Sequence, residues 1–510
     1  MGCCNQRPAT NSEARPKPEV KKENKKSLNA LKTPKKEQRH KKKISKGSQD
    51  HLSTQGSIIV STKGKPLENY KIMGTLKTTH GKSIYLTKEK NSQTYKIVKE
   101  YNKSSLDDAN KIYEQLKVLK DLDHPNIVKI FGLVDAEGAF FIIQEYCTGG
   151  ELFDKIIKQN AIGENLAARY MRDILSAINY CHSQGIAHRN LNPESLVLDN
   201  PDDNAILKIS DFESFEKIVR TTRYQKRSIG NTYYMAPELF KGEYGKEIDI
   251  WSAGVILCTL ISGNPPFHGK TRDEIFNSIQ KGLDLSSSDY VLASDEAKDL
   301  ISKMLEKDPK MRITAEEALN HPWIENRANN KVPDNVIVSG TLDRLAKFTV
   351  KSKVEQSILN FISYQITSVK EEHELSELFR SIDENGDGRI SKAELMKAYK
   401  KKKLGSKDEI NSIMENCDKN NSGFIEYQEF VTGVSQWNKK IQARQLREVF
   451  GLCDGNGDGL LSLEELKGCI PGIEGSEWDK FFVEVDSNQD HLISVDELKT
   501  YFETKFQLKE

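Results

Sequence analysis

From about residue 370 onward, apolar residues fall at helical spacing on either side of short polar loops. Leu375, Leu378 and Phe379 lead into the first loop, and Leu498 and Phe502 follow the last. Each loop also holds one apolar residue at the same place, Ile390, Ile425, Leu461 and Ile493, as expected where paired loops join in a short strand. Upstream, Leu342, Leu345 and Phe348, then Val354, Ile358, Leu359 and Ile362, fit a basic amphipathic helix. No apolar run approaches the roughly 18–20 residues that cross a bilayer, and the N-terminus lacks the apolar core of a secretory signal. A chain of 510 residues exceeds what one hydrophobic core usually serves, so several folded units are expected.

The loops repeat four times, starting at Asp383, Asp418, Asp454 and Asp486. In the first, Asp383, Asn385 and Asp387 offer side-chain oxygens at positions 1, 3 and 5. Arg389 offers its carbonyl at position 7, and Glu394 can chelate with both oxygens at position 12. Gly388 makes the sharp turn at position 6. The second loop uses Asp418, Asn420, Ser422, Phe424 and Glu429 around Gly423, and the third uses Asp454, Asn456, Asp458, Leu460 and Glu465 around Gly459. The fourth, with Asp486, Asn488, Asp490, Leu492 and Glu497, puts His491 where the glycine belongs. That position needs φ > 0, so reduced affinity is expected there. Oxygen-only loops of twelve residues select Ca2+, and a four-site EF-hand sensor is the reading of residues 370–510.

Composition adds a contrast. Net charge is +1, yet residues 1–50 carry ten more Lys and Arg than Asp and Glu. This basic tail, residues 1–65, opens with Gly2, Cys3 and Cys4, a terminus that can take myristoyl and palmitoyl groups, although Gln6 replaces the usual Ser or Thr. One acyl chain binds a membrane marginally, and the second cysteine or the lysine runs would supply the further signal, towards an anionic membrane surface. The tail has no aromatic residue for base stacking, so no nucleic-acid partner is expected. Eight scattered cysteines without disulfide-like spacing fit a reducing cytoplasm.

The middle of the chain carries motifs in a fixed order: His124-Pro125-Asn126-Ile127, Gly149-Gly150-Glu151-Leu152-Phe153, Ala236-Pro237-Glu238, Asp249-Ile250-Trp251-Ser252 and Arg312. On these motifs, residues 66–324 resemble a protein kinase of the calcium-dependent, calmodulin-like-domain family. The resemblance implies an α+β bilobal protein-kinase fold followed by an all-α four-EF-hand domain. It also implies ATP and Mg2+ beside calcium. Leu76, Ile84, Lys99 and Asp211 occupy retained nucleotide positions.

Other positions depart from the family pattern. Lys77, Thr79 and Lys82 stand at the three glycines of the phosphate loop, and Gln115, beside Glu114, replaces the helix C glutamate. Asn190 stands at the catalytic-base position, with Asn192 for lysine and Ser195 for asparagine. Glu213 follows Asp211-Phe212 in place of glycine, and Asn231 follows Gly230 in place of threonine. Thr221, Thr222 and Arg189 remain for an activation-segment phosphate, and Glu151 and Glu194 remain for a basic peptide.

In the resembled family, the junction, residues 325–369, blocks the kinase at rest and is captured by the EF-hand lobes when calcium binds. The resemblance therefore implies an intramolecular partner helix, and a protein partner or substrate that the sequence does not name. Two readings follow: a calcium-responsive adaptor on a pseudokinase body, or a calcium-activated serine/threonine kinase. Both place the protein in the cytoplasm, attached to a membrane through the acylated terminus.

Overall fold

The structure, a computed structural model, describes residues 60–63, 70–79 and most of 81–506. Gly2, Cys3, Cys4, Gln6, Glu114, Gln115, Glu213, Thr221, Thr222 and Gly230 lie outside the described residues.

The small lobe is a six-stranded sheet of β1 (Val60–Lys63), β2 (Tyr70–Thr79), β3 (Lys82–Glu89), β4 (Tyr95–Asn102), β5 (Ile130–Ala136) and β6 (Ala139–Glu145), in the order β1-β5-β6-β4-β3-β2. All neighbours are antiparallel except β1, which runs parallel to β5. The β1 residues fall within 1–65, the segment read as the basic tail, so part of that segment is a strand of the small lobe. Its backbone closes the β5 edge, which would otherwise offer unpaired N–H and C=O groups.

The large lobe is built on α1 (Glu164–Ser183) and α2 (Glu247–Ser262). Helix α2 is buried without interruption from Ile248 to Leu260, because its sequence is apolar on every face. The same core takes in Trp323, Ile324 and Ala328.

The junction is two helices, not the single helix that the apolar spacing suggested: α3 (Asn335–Lys347) and α4 (Lys353–Ile366). Ser352 caps α4 by accepting the N–H of Glu355 and so starts a new helix after the Phe348–Ser352 break. The apolar faces of both helices are buried in the core of the C-terminal domain. That domain contains α5 (Val369–Ile382), α6 (Lys392–Lys401), α7 (Lys407–Cys417), α8 (Tyr427–Val434), α9 (Ala443–Cys453), α10 (Leu463–Cys469), α11 (Gly475–Val485) and α12 (Val495–Lys505). They form four helix–loop–helix units. The loops join pairwise through two-stranded ladders, Ile390 opposite Ile425 and Leu461 opposite Ile493, the four apolar positions that the sequence singled out.

The first EF-hand pair rests on the kinase-like body. The Asp123 carboxylate accepts the N–H of Gln428 at 2.5 Å, and the Ser176 hydroxyl donates to the carbonyl of Gly386 at 3.3 Å. Arg380 lies 3.3 Å from Asp173. From the junction, the Tyr364 hydroxyl both accepts from and donates to the backbone of Ile130.

Candidate functional site

Each calcium loop is wound around its first aspartate. Asp383 Oδ2 accepts the N–H of Gly388 at 2.9 Å, Asp418 that of Gly423 at 2.8 Å, Asp454 that of Gly459 at 2.8 Å, and Asp486 that of His491 at 2.9 Å. Asn385, Asn420, Asn456 and Asn488 accept from the N–H two residues on, which holds position 3 over the same centre. Asp387, Asp458 and Asp490 cap the N–H groups of Arg389, Leu460 and Leu492, and the Ser422 hydroxyl accepts from Phe424. The position-12 carboxylates Glu394, Glu429, Glu465 and Glu497 are each held by a backbone N–H at the start of the exiting strand or helix.

Backbone conformation repeats as well. Position 6 is left-handed in all four loops: φ is 76° at Gly388, 87° at Gly423, 81° at Gly459 and 63° at His491. Position 4 is also left-handed, at Gly386, Asn421, Gly457 and Gln489, which the sequence reading did not foresee.

These residues fit Ca2+ on electrostatic grounds. Burial, with Asp387 and Glu394 adding repulsion, pushes the Asp383 carboxyl up to about 8, and burial beside Glu426 pushes Glu429 well up. A cation among them would relieve that repulsion.

The nucleotide positions also come together. Leu76, Ile84, Lys99 and Asp211 line one cleft of about 590 Å³ between the lobes, and every residue lining it lies between Leu76 and Asp211. Leu76, Ile84, Ile97, Val128 and Val197 give it apolar walls suited to a base. The Lys99 ammonium lies 2.5 Å from Asp211, which itself has φ of 62°. The phosphate loop is a closed hairpin, with Lys77 opposite Ile84 and Thr79 opposite Lys82. Its two added lysines turn to acids: Lys82 lies 3.8 Å from Asp211 and Lys77 3.7 Å from Glu194. Glu151 lies at the same mouth. Burial pushes its carboxyl up, Lys77 opposes this, and Glu194 and Asp154 add to it.

The catalytic loop is tied to itself. The Asn192 amide donates to the carbonyl of Asn190 at 2.8 Å, and its oxygen accepts from the N–H groups of Glu194 and Ser195. The Ser195 hydroxyl returns a bond to the carbonyl of Asn192 at 2.8 Å, and Ser195 is fully buried. Asn231 caps a turn through the N–H of Tyr233.

The motifs that hold the scaffold keep their partners. Asp249 accepts from the backbone of His188 and Arg189, Phe212 packs edge-on against His188, and Arg312 makes a two-pronged pair with Glu238 at 2.6 and 3.0 Å.

A second cavity, also of about 590 Å³, lies between the body and the EF-hand domain, and Glu145, Tyr146 and Cys147 line both cavities. At its wall Glu372, on α5, is buried between Lys129 at 2.9 Å and Lys208 at 2.7 Å, and Lys208 reaches on to Glu145 at 2.8 Å. Sequence reasoning missed this cluster, because its members are far apart in the chain and none belongs to a motif.

Residues 70–324 match the protein kinase domain, and residues 372–435 and 443–503 match the EF-hand domain pair. The chain is 34% identical to calcium-dependent protein kinase 33 of Arabidopsis thaliana, over 85% of each chain. It is 33% identical to calcium-dependent protein kinase 21 of the same plant, over 88% of this chain and 87% of the relative. With calcium-dependent protein kinase 5 of Plasmodium falciparum it shares 31% identity, over 82% of this chain and 75% of the relative. The EF-hand match implies Ca2+ as the ion of the loops, and the kinase match implies ATP and Mg2+ as ligands of the cleft. A kinase domain joined in order to paired EF-hands, shared along most of the chain with these relatives, places the protein in the calcium-dependent protein kinase family.

Proposed function

We propose that this chain is a calcium-responsive signalling protein whose kinase-shaped body transfers phosphate weakly or not at all and passes the calcium signal on through its conformation. The observation that carries this reading is the catalytic loop. Asn190 offers an amide where a carboxylate would take the substrate hydroxyl proton, and the two neighbouring side chains are bound to backbone groups of the loop, Asn192 to the carbonyl of Asn190 and the N–H of Ser195, and Ser195 to the carbonyl of Asn192. Bound ATP and Mg2+ would supply the transferable phosphoryl group and its charge neutralisation. Lys99 and Asp211 would hold them, and Leu76 and Ile84 would flank the base. Loss of a general base alone costs about 10² to 10⁴ in rate.

The test is phosphate transfer from ATP to a basic peptide, with and without calcium, in Mg2+ or Mn2+. The expected turnover lies at least about 100-fold below the roughly 1–100 s⁻¹ of working kinases, and turnover within that range overturns the reading. Asn190→Asp then locates the loss. A gain of about 10² assigns it to the missing base, and no gain assigns it to the remaining substitutions.

The second reading, a calcium-activated serine/threonine kinase acting on basic proteins, is favoured by the acidic mouth. Glu151, Asp154 and Glu194 would hold a basic peptide beside a cleft that keeps Lys99 and Asp211.

We further propose that acylation of Gly2, Cys3 and Cys4, together with the basic tail, attaches the protein to an anionic membrane. Labelled myristate and palmitate should be incorporated, and Gly2→Ala should release the protein to the soluble fraction. Label-free protein would sink the proposal.

A further inference from the structure

The cleft between the lobes has gained cationic side chains where a phosphate would lie and has lost a metal ligand. Lys77, Thr79 and Lys82, at the three glycine positions of the phosphate loop, all line it. Glycines there let bare backbone approach a phosphate, whereas side chains hold the backbone off and offer ammonium groups in its place. Of the two lysines Lys82 is the more enclosed: 25% of its side chain is exposed, against 56% for Lys77, which pairs with Glu194 at the mouth. Lys82 lies 3.8 Å from Asp211 Oδ1, the same oxygen that takes the Lys99 ammonium at 2.5 Å. Two ammonium groups thus converge where the phosphate-binding lysine stands, and Asp211 brings one negative charge against their two.

The metal side is depleted. A kinase holds its Mg2+ through the aspartate that Asp211 retains and through the asparagine whose place Ser195 takes. Ser195 is fully buried. Its hydroxyl donates to the carbonyl of Asn192 at 2.8 Å and accepts the N–H of Asn192 at 3.1 Å, and it does not line the cleft. Of the two family metal positions, only Asp211 keeps an oxygen on the cleft, and that carboxylate is shared with two lysines. Mg2+ demands near-octahedral oxygen ligation and dehydrates reluctantly, so one shared carboxylate holds it poorly.

We propose that this cleft binds ATP without a divalent metal, with Lys82 joining Lys99 to neutralise the phosphates in the metal's stead. A lysine is a compact point charge on a flexible stem, so Lys82 can turn from Asp211 to a phosphate oxygen while the β2–β3 hairpin stays paired. The proposal rests on the reading of the cleft as a nucleotide site and is independent of whether phosphate is then transferred.

Calorimetric titration of the full-length chain with ATP tests it, with EGTA in every arm so that calcium is absent throughout, and with either Mg2+ or EDTA added. The two dissociation constants are expected to agree within about fivefold. A larger loss in EDTA overturns the proposal and leaves a metal-dependent nucleotide site, whereas no binding in either arm overturns it together with the nucleotide reading of the cleft. Lys82→Gln in EDTA should weaken ATP binding by about tenfold or more, the cost of one hydrogen bond to a charged group. AMP, which lacks the outer phosphates, should bind the variant and the wild type alike. Equal losses for ATP and AMP, or no loss for ATP, overturn the role of Lys82. The wild-type comparison uses no variant and decides alone if Lys82→Gln folds poorly.

Discussion

His491 shows how one residue sets the quality of a calcium loop. Its N–H reaches Asp486 as the glycines reach theirs, so the loop closes, but at a left-handed φ of 63°. A side chain with a Cβ pays about 1 kcal/mol or more for that conformation. His491→Gly should strengthen calcium binding at the fourth loop by about fivefold, read by calorimetric titration. An unchanged affinity would mean that the cost lies elsewhere, the nearest candidate being Gln489, left-handed at 62°. At this scale the sequence was informative where a motif specifies a residue type. The four aspartates around which the loops wind and the misfit at position 6 were visible. Position 4 was not, because Gly386, Asn421, Gly457 and Gln489 share a conformation and no single residue type.

Between elements, the junction shows where periodicity runs out. Its apolar positions were legible and are buried, but an apolar stripe does not count helices. The break depended on Ser352 with Glu355 three residues on, a start signal in the sequence that the spacing of leucines and isoleucines concealed. Glu355 is also buried beneath α12, where it accepts from the Tyr501 hydroxyl at 3.1 Å and pairs with Lys505, while the Gln356 amide donates to the carbonyl of Cys417 at the entrance of the second loop. One turn of α4 thus touches both halves of the sensor. Glu355→Ala would strand a half-buried ammonium and should loosen α4 from the C-terminal pair by about 3 kcal/mol. Faster hydrogen exchange over Lys353–Ile366, with slower or no change over α1, is the expected signature. Equal loosening of both would indicate general unfolding.

For the molecule as a whole, both domains could be read from motifs, but their contact could not, since it rests on charges placed by the fold. Helix α5 leads into the first calcium loop, and its Glu372 lies between Lys129 and Lys208. Lys208 also holds Glu145, which borders the nucleotide cleft. Burial alone would raise the Glu372 carboxyl, yet the two lysines win and hold it at about 2. Because its folded value is depressed from the ordinary 4.5, ionised Glu372 contributes stability above about pH 4.5, and this is lost as pH falls towards about 2. Glu372→Gln keeps the shape and removes the charge, leaving Lys129 buried opposite an amide. It should lower the stability of the docked form by about 3 kcal/mol at neutral pH, measured by denaturant melting. The gap between wild type and variant should then narrow as pH falls from about 4.5 to about 2, whereas a gap independent of pH would mean that packing, and not charge, holds α5 to the body. If charge holds it, any calcium-driven movement of α5 must either carry Lys208 along or break its bond to Glu145. The end of β6 at Glu145 would then feel the state of the first calcium loop whether or not phosphate is transferred in the cleft beside it.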